Sequence, residues 1–237
     1  MDDEIDTSFD MRSDTPEGKD PDTYSKTLRR YHELLWSKPL PTGQVFVLRP
    51  EGRRRYLYHE SSLGQFFLGS DTIVHTYGSW LRMRPVTDQI PEEEKEAFRR
   101  IGYTIGGMTV FPGNTIGRRQ TINGARGTRP AISDRFDLTL ETIRRHYAGD
   151  ESPLSDVLAR YDDFFRLFGD FAGYVEFFHF QDLVTSAGSV DFYLPFDDFR
   201  RSALPQSVDE YRTYRDRSVA FVNARNARID AWVAAQR

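Results

Sequence analysis

An α+β fold, with a small antiparallel or mixed sheet from the N-terminal half packed against a predominantly helical C-terminal half, is predicted by three observations. Short runs of β-type residues (QVFVL from Gln44, RYLYH from Arg55, TIVHTY from Thr72) cluster in the first half of the chain. The second half carries apolar residues at helical spacing, with capping signals at the ends of the patterns. Apolar residues make up 38% of the 237 but aromatics reach 14%, so the core must be built largely from Phe and Tyr rings. The length suits one domain with room for a substantial core: an irregular acidic arm over 1–23, then a single domain over 24–237 that closes in a long helix.

The elements follow in order. The arm is polar and acidic with Pro16, Gly18 and Pro21, which oppose regular structure; Phe9 and Met11 are its anchors. A helix over Ser25–Trp36 places Leu28, Tyr31, His32 and Leu35 on one face, with His32 a packing residue. The β-type runs then form an antiparallel meander with a turn at Pro50-Glu51-Gly52, beside which Arg53, Arg54 and Arg55 discourage edge pairing. SSLGQFFLGSD reads as a short helix or wide loop. Pro91 and three glutamates start a helix running to Arg100. TIGGMTVFPGN is a strand, and Asn123-Gly124 favours a turn in the arginine-bearing loop after it.

The helix over 134–147 has the clearest signals. Ser133 or Asp134 caps it, Arg144, Arg145 and His146 complement its C-terminal dipole, and Phe136, Leu140, Ile143 and Tyr147 form a buried stripe. Further helices begin at Ser152-Pro153 and over FAGYVEFFHFQDLV, which encloses His179; VDFYLPF reads as a short strand. Ser207-Val-Asp-Glu210 opens the last helix, which packs through Tyr214, Phe221, Ile229 and Trp232 on its own domain or on a second chain as an oligomer.

Composition excludes several classes. Without cysteine there is no disulfide framework, thiolate metal site or Cys nucleophile, which suits the cytoplasm. The acidic start is unlike a signal peptide, and no run reaches the ~18 apolar residues of a membrane span. The net charge of −4 hides a gradient: 1–23 holds nine acidic and two basic residues, whereas 49–145 holds sixteen basic and eleven acidic. That basic middle admits an anionic ligand or nucleic acid as partner.

The strings RSDTPEGKDPD, YHELLWSKPLP, TINGARG and DRFDLTLETIRRHY resemble a widespread prokaryotic family known only as a domain of unknown function, over most of residues 7–229. The resemblance implies a bacterial intracellular protein with one family domain and carries no activity.

The chemistry centres on the stretch Ile101–Tyr147, which holds seven of the seventeen glycines. Asn114, Asn123, Arg126, Arg135, Asp137, Glu141 and Arg144 are the candidate ligand-binding residues, since glycines let backbone N–H groups face an anion and Arg126 offers it a planar fork. Asp134 and Asp137 would repel an anion at the helix start, so a buried Arg–Asp network holding the loop is the preferred reading. Asp137 and Glu141 have the spacing to share Mg²⁺, but Arg144 and Arg145 are placed to neutralise Glu141 and the metal is not favoured. The cofactor is left unassigned. There is no Walker loop, G-x-G-x-x-G or G-x-S-x-G, and no two of the five histidines have metal-ligand spacing. Three functions stay open: binding or acting on nucleic acid or a nucleotide, which is preferred; a hydrolase or transferase for a small anionic substrate; and a non-enzymatic interaction module.

Overall fold

The computed structural model describes residues 4–50 and 57–236. Glu51 and Gly52 of the expected turn, with Arg53, Arg54 and Arg55, lie outside the described residues. The arm runs as successive turns with no strand or long helix from residue 4 on. It is held by Ile5 and the fully buried Met11, whose amide donates to the Tyr103 carbonyl at 3.0 Å, and it ends in a single helical turn, α1 (Pro21–Tyr24), capped by Asp20.

Helix α2 (Lys26–Trp36) starts where the Ser25 hydroxyl accepts from the Leu28 amide at 3.0 Å, and it buries Leu28, Tyr31, His32, Leu35 and Trp36. His32 is satisfied as a packing residue: its Nδ1 accepts from Trp36 Nε1 at 3.0 Å and its Nε2 lies 2.9 Å from Ser70 Oγ. Strands β1 (Lys38–Pro39) and β2 (Val45–Phe46) form a minimal antiparallel pair.

The main sheet is antiparallel in the order β3 (Arg49–Pro50), β4 (Leu57–Ser61), β5 (Gly64–Thr72), β6 (Met108–Pro112). Its spine, β5, comes from the stretch read as helix or loop. Phe66 and Leu68 are buried at the two-residue period of a strand, and this burial outweighs the weak strand propensity of its Gly and Ser residues. TIVHTY, by contrast, leaves the sheet at Thr72. There the Thr72 hydroxyl accepts from the Val74 amide and donates to the Val74 carbonyl, a local alternative to ladder bonding.

Helices α3 (Arg84–Thr87) and α4 (Glu92–Gly102) precede β6. Asn123-Gly124 lies inside helix α5 (Ile122–Thr128) rather than in a turn, because Thr121 caps that helix by accepting from the Gly124 amide. In α6 (Phe136–Ala148), Phe136, Leu140 and Ile143 are buried and Tyr147 donates to the Phe165 carbonyl at 2.7 Å. Neither Ser133 nor Asp134 caps α6; both adopt left-handed backbone, φ 47° and 58°, and Arg135 stands at the cap. Gly149, φ 76°, ends the helix.

The helix expected from Ser152-Pro153 is divided into α7 (Ser155–Leu158), a 3₁₀ turn over Ala159–Tyr161, and α8 (Asp162–Arg166). α9 (Phe171–Phe177) is shorter than its apolar pattern because His179 takes φ 57°. The strand expected at VDFYLPF is reduced, among the described residues, to one bridge between Val184 and Val190. α10 (Val208–Ala235) packs on its own chain, with Tyr214, Phe221 and Ile229 buried and Trp232 partly covered. Its Arg225 is fully buried and donates to the carbonyls of Phe178, Gly106 and Met108. A glycine is required at 106, where a Cβ would stand 2.4 Å from Asn226 Oδ1, the acceptor of the Gly106 amide. Among the described residues no helix is long and apolar enough to cross a membrane.

Candidate functional site

Arg126, on α5, is fully buried between the rings of Phe111 and Phe136, 5.4 and 5.9 Å from its guanidinium carbon. Its Nε donates to Thr139 Oγ1 at 3.1 Å and its Nη1 pairs with the Asp71 carboxylate at the end of β5. Nη2 has no partner among the described residues. A buried guanidinium with one of its nitrogens unpartnered is a costly arrangement for a purely structural residue.

Around this junction stand more carboxyls than one arginine neutralises. Asp71 is partly exposed, and its pKa is pushed up to about 6: burial is the main cause, Arg126 opposes it, and Asp134 and Asp20 add to it. Asp22, in α1 against β5, is raised well above the carboxylate range by burial, by Asp71 and by Asp20. The Thr72 amide favours the ionised form of both. One Asp22 oxygen is buried without a partner among the described residues.

His75 completes the group. Its Nδ1 accepts from the Tyr77 amide at 3.0 Å, so the neutral ring carries its proton on Nε2, which lies 3.9 Å from Asp134 Oδ2. Burial, assisted by Arg126 and opposed by Asp134, lowers the pKa of His75. Trp80 lies edge-on to His75 at 4.9 Å, and the exposed Arg82 covers Trp80 at 4.4 Å and donates to Ser133 Oγ at 3.3 Å.

The backbone here is strained. Tyr77, Ser133 and Asp134 all have positive φ, and the Tyr77 hydroxyl donates to the Ser133 carbonyl at 2.8 Å. Non-glycine residues in this region cost of the order of 1 to 3 kcal/mol each, and such residues gather at functional sites.

The residues singled out from sequence fall in separate places. Arg126 meets Asp71 rather than a carboxylate of α6. Arg135 and Asp137 form a buried pair, with the Asp137 carboxylate also accepting from the Tyr193 amide at 2.9 Å and Arg135 donating to the Ala203 carbonyl at 3.2 Å. Glu141 accepts from Arg144 at 2.8 and 2.9 Å and from Arg145 at 2.9 Å, and Arg145 continues to Asp198. The Asn114 carbonyl accepts from the Tyr161 hydroxyl at 2.9 Å, and Asn123 Oδ1 is buried with no partner among the described residues. Asp22, Asp71 and His75 were not foreseen. Asp71 is 55 positions from Arg126, but Asp22 does fall in one of the strings that carry the family resemblance. Among the described residues no group of three or more His, Asp or Glu is arranged to hold a metal ion.

The fold and this junction define an α+β protein with a carboxyl-rich site set between its sheet and the loop before α6. The chain belongs to DUF6994, a family of unknown function whose model matches residues 5–229. No curated protein and no solved structure matches the chain.

Proposed function

We propose that the chain is an enzyme, a hydrolase or transferase, in which Asp71 and Asp22 hold a proton between them and exchange it with a small anionic substrate at the partly exposed edge of the Arg126 junction. The observation that carries this reading is the pair of raised carboxyls beside Arg126, with Asp71 at about 6. Near neutral pH such a pair supplies one acid to donate and one carboxylate to accept, as general acid–base chemistry requires. Asp134 and neutral His75 extend the proton path. Arg82, on the Trp80 ring, offers an anchor for the substrate's anionic end, and the ring offers a platform for an apolar part.

The test is a panel of 4-nitrophenyl glycosides, esters and amides, each with and without a carboxylate. One class is expected to turn over with a bell-shaped pH profile; Asp71→Asn should abolish turnover, and Arg82→Ala should raise KM only for the carboxylate-bearing member. No turnover in any class, or turnover untouched by Asp71→Asn, overturns the reading.

Nucleic-acid or nucleotide binding draws support from the Trp80–Arg82 stack and from exposed Arg118 and Arg119. It has less charge to work with, because Arg126, Arg129, Arg135, Arg144 and Arg145 each pair with a carboxylate. Fluorescence polarisation with short RNA and DNA over a salt series separates the two, since phosphate contacts weaken steeply with salt. An interaction module acting through α10 has little support, since the apolar side of that helix is covered by its own chain. A bacterial cytoplasmic setting fits the family resemblance and the lack of cysteine, and cell fractionation tests it.

A further inference from the structure

Away from the carboxyl junction, α9, the end of α10 and the β1 segment border a half-open cavity of about 770 Å³ lined by Lys38, Glu176, His179, Gln181, Arg228 and Trp232, among others. The Lys38 Nζ lies 5.1, 4.8 and 5.2 Å from the ring centres of Trp36, Phe177 and Trp232, and 3.0 Å from His179 Nε2. An amine in this position donates to the imidazole, so His179 is neutral with its own proton on Nδ1. Burial, aided by Lys38 and Arg225, pushes the His179 pKa down to about 3. His179 is also one of the few non-glycine residues with left-handed backbone, φ 57°. A second lining residue points to a ligand: Gln181 Oε1 is a buried acceptor with no partner among the described residues.

The residue type matters. The chain has four lysines, Lys19, Lys26, Lys38 and Lys95, and uses arginine for its other 28 strongly basic positions. Arginine cannot give up its proton in a protein, whereas a desolvated lysine can, and that makes lysine the nucleophilic one of the two. We infer that Lys38 is a nucleophilic amine that takes a small aldehyde or ketone into the cavity and holds it covalently as an imine.

The step balances as follows. The Nζ lone pair forms a C–N bond as the carbonyl π bond breaks, and one Nζ proton passes to the former carbonyl oxygen, giving a carbinolamine. That hydroxyl takes one proton from solvent water at the open side of the cleft and leaves as water, and the nitrogen becomes an iminium. Hydrolysis reverses the sequence. The ring faces that surround Nζ stabilise the iminium cation. Burial of the amine and the nearby Arg225 charge bring the Lys38 pKa down to about 7, so a large share is neutral at physiological pH.

The experiment uses the intact chain with pyruvate, glyoxylate and pyridoxal phosphate as separate probes, each trapped with sodium cyanoborohydride and read by intact mass and peptide mapping. Lys38 is expected to label at least tenfold faster than Lys26 or Lys19 with at least one probe, near pH 7.5. Lys38→Arg should remove that adduct and leave slow labelling of the other lysines. The wild-type distribution decides by itself, so the conclusion does not depend on the variant folding. Labelling of Lys38 no faster than that of Lys26 with all three probes overturns the inference.

Discussion

Gly127 packs directly on the Asp134 carboxylate: a Cβ at position 127 would lie 3.0 Å from Asp134 Oδ2. Gly127 is helical, so alanine would gain up to about 1 kcal/mol of helix propensity while pushing the carboxylate aside. Gly127→Ala is therefore expected to change the denaturation midpoint little and to shift the pH dependence of turnover, because Asp134 is one of the charges that raise Asp71. A variant that loses stability by several kcal/mol and keeps the wild-type pH profile would contradict this assignment.

Arg126→Lys should lower stability by about 2 kcal/mol. Lysine keeps a charge for Asp71 but cannot also donate to Thr139 or lie flat between Phe111 and Phe136. Chemical denaturation measures the loss, and an unmoved midpoint would mean that the junction does not hold the loop.

Asp22→Asn should stabilise the protein increasingly as pH rises. The folded carboxyl titrates above its ordinary value of 3.8, so between that value and the folded pKa the native state binds more protons than the unfolded chain, and stability falls as pH rises through the window. Asparagine removes this penalty. Melting temperatures of the two proteins between about pH 4 and pH 8 should diverge toward the alkaline end, and a constant offset would refute the raised pKa.

His32 acts in the opposite direction. Burial, helped by the Arg225 charge, holds its pKa near 3 against 6.5 in the unfolded chain, so its contribution is present above 6.5 and is lost as pH falls toward 3. One such group costs about 2 kcal/mol at pH 5. In His32→Gln the slope of stability against pH between pH 7 and pH 5 should be shallower by about one proton, as urea titrations at each pH would measure. An unchanged slope would place the acid sensitivity elsewhere.

The sequence made the amphipathic elements legible wherever period and capping agreed. α2, α4, α6 and α10 all stand within a few residues of their sequence readings, because Ser25, the three glutamates after Pro91, Gly149 and Ser207 mark their ends by local chemistry. β5 was obscured because its case rests on partners: Leu68 faces Leu57 on one side and Pro112 on the other, and no local propensity reports that. The candidate site was legible only at Arg126 and Asp134. The neighbours of Arg126 come from α1, β5 and the loop before α6, and single-sequence spacing carries no information about such meetings. Asp137 and Glu141 were readable as a charged stripe, and Arg144 and Arg145 pair with Glu141 as their spacing on the helix predicts, but the backbone amide of Tyr193 on Asp137 depends on how the chain folds back.

Arg225 gives the fold a temporal order. Its guanidinium is the hydrogen-bond donor for the carbonyls of Gly106 and Met108 at the start of β6 and of Phe178 after α9, yet it lies on the last helix. On the ribosome, β6 and the α9 segment emerge long before the side chain that ties them together. A nascent chain stalled ahead of Ser207 is therefore expected to leave this region open to protease attack, with protection appearing only once α10 has been made; early protection would show that Arg225 joins an assembly already formed.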